Sequence, residues 1–189
     1  WMSLDHVAGL IYFHIRDIYL GCKQIHVANQ LVIEKPVRWL DLIDAFDVTV
    51  TFAPNFAYSL INDCVQEIDR QNWNLSSIRL MLNGAEQIVA ATSRRFLKLL
   101  APFGLSSDVM TPAWGMAEVS SGITYSHDFS LSSTSDDDSF VNLGQPIPGT
   151  SLRIVNQDLE MLSEGEIGFL QVQGLTVTSG YYQNNTANQ

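Results

Sequence analysis

Two hydrophobic periods alternate along the first two-thirds of this chain, and that alternation restricts its fold more than any other feature. VTVTFA (48–53), IRLMLN (78–83) and DVMTPAW (108–114) are short β-branched or apolar runs of the kind that form buried strands. Segments with helical spacing lie between and before them. Pro36 opens PVRWLDLIDAF, where Val37, Leu40, Leu42, Ile43 and Phe46 make one apolar face. Pro54 and Asn55 open a second helix, NFAYSLINDCVQEID, and VAATSRRFLKLLA makes a third that closes near Gly104. Upstream, GLIYFHIRDIYLG repeats apolar residues at helical spacing and stops at Gly21, a C-cap residue. KQIHV (23–27) reads as a short strand. Strand–helix–strand order with short loops predicts an α/β fold, a mostly parallel sheet flanked by helices.

The texture changes after residue 120. SGITYS, SFVNLGQPIPG, TSLRIVNQD and GEIGFLQVQG are short strand-like runs punctuated by Gly and Pro. They predict a division within 126–139: residues 1–130 form the α/β part, and 131–189 begin a β-rich, barrel-like part. The acidic run STSDDDS (133–139) falls there and reads as a solvated loop.

Charge and motif content exclude several functions. A net charge of −10 with no basic stripe argues against a nucleic-acid partner. No apolar run reaches the length of a membrane span, and no signal peptide is visible at the start. The first residue is Trp and the last run is YYQNNTANQ, so both ends read as cuts through a longer protein. There is no G-x-S-x-G elbow, no P-loop and no G-x-G-x-x-G after a strand. His6, His14, His26 and His127 are scattered and lack zinc-ligand spacing. Cys22 and Cys64 lack metal or redox spacing and read as buried free thiols in a reducing, cytoplasmic compartment.

What remains is a set of loops at strand ends, where ligands collect in open α/β sheets. They are APNFAY after the first strand, NGAE after the second and WGMAE after the third. Gly84 lets the backbone approach a flat ligand, because it has no Cβ. Glu86 caps the following helix or contacts a ligand. Glu118 is either a solvated strand-end acid or a hard oxygen ligand for Mg²⁺, which takes one or two carboxylates plus substrate phosphates. His6 is either a satisfied helix-start histidine or a site residue. Trp114 is either core or the wall of an apolar pocket.

Taken in order, four segments resemble the adenylate-forming superfamily of acyl-CoA ligases, fatty acyl-AMP ligases and adenylation domains of nonribosomal peptide synthetases. PAWGMAE resembles its aromatic-Gly-x-x-Glu motif, and LNGAE its adenine-contacting loop. LGQPIPGTSLRIVN and GEIGFLQVQGLTVTSGYY resemble the segments that lead into its β-barrel subdomain. LDHVAGLI…YLG is similar to the fatty acyl-AMP ligase branch and to loading domains of hybrid polyketide–peptide synthases.

The resemblance implies an ATP-dependent ligase that converts a carboxylic acid to acyl-AMP and loads it onto the phosphopantetheine thiol of a carrier-protein domain. It implies that Asn83, Gly84, Ala85 and Glu86 border the adenine, with Trp114, Gly115, Met116 and Ala117 around the nucleotide and acyl channel. Glu118 would bind Mg²⁺, and His6, Asn55, Phe56 and Tyr58 would wall the substrate pocket. Ala117 stands where many relatives have Thr. The phosphate loop is expected upstream, and the ribose motif, mobile lid and catalytic Lys downstream, so this slice is expected not to turn over ATP alone. Neighbouring synthase domains are expected as partners. A fragment of a free-standing acyl-CoA ligase and a non-catalytic adenylation-like interaction module are the alternatives. Fatty, aryl, hydroxy, keto and amino acids all remain open as substrates.

Overall fold

The structure is a computed structural model that describes residues 1–188. Its main sheet has five strands in the order β1 (Val50–Ala53), β2 (Leu80–Asn83), β3 (Met110–Gly115), β4 (Gly122–Tyr125) and β5 (Gln145–Pro146). The first three strands run parallel, and β4 and β5 return antiparallel. The predicted α/β fold is present and its three predicted strands are parallel, while β4 and β5, from the Gly- and Pro-punctuated part, make the sheet mixed. A separate antiparallel ribbon pairs β6 (Thr150–Val155) with β7 (Phe169–Gly174).

Strand periodicity separates two faces of the sheet. In register, Phe52 pairs with Leu82 and Leu82 with Thr111, while Met81 pairs with Met110 one step away. Ala53, Met81 and Met110 join the buried core under α3 (Arg38–Phe46), α4 (Asn55–Asn62) and α6 (Ala90–Leu100). Trp39, Tyr58 and Phe96 form its aromatic centre: Tyr58 meets Phe96 edge-on at 4.9 Å, and Trp39 lies against Phe96 at 6.2 Å. Each such side chain stabilises the fold by about 1.5–3 kcal/mol through burial. Phe52 and Leu82 point to the opposite face.

That opposite face is covered by the N-terminal segment. Residues Ala8–Ile15 form a π-helix that runs into α1 (Arg16–Tyr19), and Arg16 N–H donates to Ile11 O across the wider turn. Phe13 stacks on Phe52 with centroids 6.0 Å apart. The helix ends as Gly21 predicts: at φ +67°, Gly21 N–H donates to Ile18 O and Cys22 N–H to Asp17 O.

Several sequence expectations are corrected here. KQIHV is not a strand; its backbone joins no ladder, and α2 (Asn29–Glu34) follows it. The helix after Pro54 is broken, because α4 stops at Asn62 and a short α5 (Val65–Ile68) follows. Cys22 is exposed and Cys64 only half-buried, so neither is a sealed core thiol. The acidic run is the exposed loop that the sequence predicts, and it is in addition tied to α6. The Arg94 guanidinium on α6 donates to Asp136 at 2.5 Å and to Leu131 O at 2.9 Å, and Lys98 donates to Asp136 at 3.2 Å.

Candidate active site

A cavity of about 390 Å³ opens at the carboxyl ends of β1, β2 and β3. Phe52 and Leu82 form its sheet-side floor. Gly84 and Ala85 line it where β2 ends, and residues 113–117 line it where β3 ends. Tyr12 and Phe13 of the π-helix close the opposite side, with residues 5–8 at the entrance and Tyr125 of β4 beyond. Tyr12 stacks on Tyr125 at 6.0 Å, and the Arg16 guanidinium sits 3.9 Å over the outer face of Tyr12. Burial pushes the Tyr125 phenol well above its ordinary range.

The backbone around this cavity is unusual in two ways. A Cβ on Gly84 would lie 2.6 Å from Ala113 O, so only glycine lets the ends of β2 and β3 approach this closely. Ala85 and Ser120 hold φ of 68° and 79°, a region that costs L-residues energy and concentrates at functional sites. A register shift between Trp114 and Gly115 adds a bulge at the same edge.

The sequence-selected residues divide into two groups. His6, Gly84, Ala85, Trp114, Gly115, Met116 and Ala117 all line the one cavity. Glu118 follows in the turn of residues 117–119, partly exposed. The other group holds the loops in place instead of touching the cavity. Asn83 is fully buried; its Nδ2 donates to Ser93 Oγ at 3.1 Å, and its Oδ1 has no partner among the described residues. Asn55 Oδ1 accepts from Val89 N–H at 3.1 Å, and Glu86 Oε1 accepts from Phe56 N–H at 2.6 Å. Glu86 thus caps the start of α4, not the helix that follows it. Tyr58 is sealed in the core on the far side of the sheet and donates to Leu82 O at 2.7 Å, which excludes it from the pocket wall. Phe56 turns away to meet Trp1 edge-on at 6.4 Å.

Glu118 has partners far along the chain. Tyr181 donates to its Oε1 at 2.6 Å, and Thr178 N–H donates to its backbone carbonyl at 2.7 Å. The Tyr181 hydrogen bond holds the Glu118 carboxyl below its ordinary range, and the same bond raises the Tyr181 phenol.

The histidines are less scattered than their sequence positions suggest. Gln24 Nε2 donates to His14 O, which fixes the amide and turns Oε1 toward both His14 Nδ1 (3.0 Å) and His26 Nε2 (2.6 Å). Each ring must donate there. No group of three or more His, Cys, Asp or Glu side chains able to hold a metal occurs among the described residues. None of their helices is long and apolar enough to cross a membrane.

The family model described as AMP-binding enzyme matches residues 1–182. The chain belongs to that family. Nonribosomal peptide synthetase apvA of Aspergillus terreus (strain NIH 2624 / FGSC A1156) is 33% identical over 193 residues, covering 100% of this chain and 21% of the relative. The chain thus spans about a fifth of that relative's length. Two solved structures are similar throughout. The adenylation domain of a keto acid-selecting NRPS module bound to keto acyl adenylate has a TM-score of 0.95 at 41% identity, covering 100% of this chain and 40% of that one. McyG A-PCP complexed with phenylalanyl-adenylate has a TM-score of 0.96 at 45% identity, covering 100% and 30%. The α/β layer described above is the fold of these adenylation domains.

Within this AMP-binding chain, no sequence motif marks the aromatic side of the cavity. Tyr12 and Phe13 sit in a segment whose helical spacing marks them as ordinary core. Phe52 and Leu82 carry the strand pattern of buried residues, and nothing local says which face holds ligand. Tyr125 follows the texture change, and Tyr181 lies 63 positions from Glu118. The GYY run containing Tyr181 was the available signal.

Proposed function

We propose that this chain is the central part of an adenylation domain that activates an α-keto acid as its acyl-adenylate. In the parent protein the acyl group then passes to a carrier-protein phosphopantetheine thiol within a nonribosomal peptide synthetase-like assembly in the cytoplasm. One observation carries the reading: His6, Gly84 and the run Trp114–Ala117, far apart in sequence, converge on one cavity at the strand ends, with Glu118 beside it. The keto-acid assignment is supported by the 41% identical adenylation domain described as keto acid-selecting.

In the reaction, a substrate carboxylate oxygen attacks the α-phosphorus of ATP. The bond from that phosphorus to the bridging oxygen breaks, releasing pyrophosphate and leaving acyl-AMP. The carrier thiol later displaces AMP from the acyl carbon. The chain's part is positioning, the main resource for phosphoryl chemistry. The bare backbone at Gly84 and the flat Trp114 ring suit a planar base between strand ends. The stacked rings of Phe13 and Phe52, on opposite sides of the cavity, exclude water from the acyl group. Asp5 lines the entrance, where its Oδ2 accepts from Ser3 Oγ at 3.1 Å.

Mg²⁺ fits the donor set. Glu118 is a partly exposed carboxylate whose Oε2 has no hydrogen bond among the described residues, and one carboxylate with phosphate oxygens suits this cation. When bound, Mg²⁺ offsets the negative charge of the phosphates. We propose the division at residue 130/131 as the start of the β-rich part, whose β5 still pairs with β4 of the main sheet and whose β6–β7 ribbon is separate. Turnover is proposed to need the family's lid lysine, since no lysine lines the cavity.

ATP–pyrophosphate exchange by the intact protein, with α-keto acids and α-amino acids of matched side chain, tests this reading. Exchange driven by the keto acids supports it. Exchange driven only by the amino acids overturns the substrate class, and no exchange with any carboxylic acid overturns the adenylation reading in favour of a non-catalytic module.

A further inference from the structure

The turn that carries Glu118 is held by the segment after β7 through two hydrogen bonds, one to its backbone and one to its side chain. Thr178 N–H donates to Glu118 O at 2.7 Å, and Tyr181 Oη donates to Glu118 Oε1 at 2.6 Å. The second distance lies in the range of a charge-assisted O–H···O⁻ bond. Tyr181 is itself clamped. Asn188 Oδ1 accepts from Tyr181 N–H at 2.7 Å, and Asn188 Nδ2 donates to Tyr181 O at 3.0 Å. Both backbone groups of Tyr181 are therefore fixed by one side-chain amide, and its phenol is aimed at one oxygen of Glu118. Its neighbour Tyr182 is 90% exposed, and its hydroxyl accepts from Gln183 Nε2 and not from any group of Glu118.

We propose that Tyr181 is a positioning residue that makes Glu118 a one-oxygen metal ligand and thereby favours Mg²⁺ over Ca²⁺. This rests on the reading of Glu118 as the metal-binding carboxylate. With Oε1 engaged by the phenol, Oε2 is the oxygen left for a cation. Mg²⁺ demands near-octahedral geometry and is served by single carboxylate oxygens. Ca²⁺ takes six to eight ligands and accepts carboxylates through both oxygens. A Glu118 that can swing, or offer both oxygens, loses the first preference and gains the second. Partners that orient a metal ligand in this way are typically worth about 10–100-fold in metal affinity.

The test is calorimetric titration of Mg²⁺ and of Ca²⁺ into the intact protein saturated with a non-hydrolysable ATP analogue. Wild type is compared with Y181F, N188A, E118Q and the control Y182F. Y181F is expected to weaken Mg²⁺ by about tenfold and Ca²⁺ by less, so the Mg²⁺/Ca²⁺ ratio falls. N188A keeps the phenol but frees its backbone, and is expected to shift the ratio part of the way. Y182F is expected to behave as wild type. A general loss of structure in Y181F would weaken both cations and nucleotide together, leaving the ratio unmoved, and N188A then decides: an unmoved ratio there overturns the proposal. If E118Q loses Mg²⁺ while Y181F keeps wild-type affinity and ratio, the positioning role is wrong and the Glu118 reading stands. If E118Q binds Mg²⁺ as wild type does, the Glu118 reading is wrong and takes this proposal with it.

Discussion

Adjacent substitutions at positions 84 and 85 are expected to change stability in opposite directions. In Gly84→Ala the new Cβ would sit 2.6 Å from Ala113 O and 3.5 Å from Ala113 C, with Phe52 Cε2 at 3.6 Å. The first two are backbone atoms of the neighbouring strand. They cannot yield alone, because Asn83 is in register with Pro112 and Met81 N–H donates to Val109 O at 2.8 Å. Relief requires β2 and β3 to separate at their carboxyl ends. Overpacking of this kind costs about 1–3 kcal/mol, and an unyielding neighbour puts this case near 3. For a protein of this size each kcal/mol shifts Tm by about 2–4 °C, so Gly84→Ala is expected to lower Tm by about 6–12 °C.

Ala85 is the reverse case. Its φ of 68° places an L-residue in the left-handed region. Relief of that strain by glycine is worth about 1–2 kcal/mol. The greater freedom of glycine in the unfolded chain offsets about 0.5–1 of this. Ala85→Gly is therefore expected to raise stability by about 0.5–1 kcal/mol, with Tm up by about 1–4 °C. Thermal melts and denaturant midpoints at unchanged m-value check both. The reasoning is refuted if Gly84→Ala melts within about 2 °C of wild type, or if the two variants shift in the same direction.

Three further outcomes follow from contacts around the site. Tyr58→Phe removes the hydroxyl that donates to Leu82 O at 2.7 Å and is expected to cost about 1–2 kcal/mol in denaturant unfolding. If Tyr58 instead walled the pocket, the change would alter acid selectivity with little loss of stability. Glu86→Ala leaves Phe56 N–H at the start of α4 without its acceptor, which is expected to cost about 1 kcal/mol by the same measurement. Asp136→Asn tests the clip formed by Arg94 and Lys98. Those two side chains hold the folded Asp136 carboxyl below its ordinary value, first through the Arg94 hydrogen bond. Its contribution is thus fully present above the ordinary value of about 3.9 and is lost as pH falls through the lower folded value. Wild type is expected to melt above Asp136→Asn at pH 7, and the gap to close below pH ~3. A gap that widens on acidification would show the sign to be wrong.

What could be read from the sequence follows a physical division. Apart from the break between α4 and α5, the helices and strands between Arg38 and Gly115 are legible because each must bury one face, and that need writes a period into the residues. Glu118, Trp114 and Gly84 were legible because they follow strand ends. KQIHV carries the composition of a strand, but a strand exists only where a neighbouring edge can pair, and none adjoins it here. Tyr58 and Phe52 carry the same apolar signal, yet one is sealed in the helix-side core and the other floors the cavity. The period distinguishes the two faces of the sheet, but not which face is filled by helices and which by ligand. The bonds from Tyr181 to Glu118 and from Arg94 to Asp136 join residues 63 and 42 positions apart, and no local pattern encodes them.

The change from parallel to antiparallel pairing explains why these features meet. A parallel return after β3 needs a crossover of a dozen residues or more. Only residues 116–121 separate β3 from β4. So few residues force β4 to come back antiparallel beside β3, and its connecting turn must lie at the carboxyl end of the sheet. That turn carries Glu118, and it lies on the same edge as Gly84, Ala85 and Trp114. The strain at Ser120 and the bulge at Gly115 are then consequences of turning the chain within six residues. Lengthening the turn would ease both but would free Glu118 from the edge where the cavity opens. A short, strained connection and a positioned carboxylate are in this sense one feature, and the grip of Tyr181 on Glu118 removes the freedom that remains in its side chain.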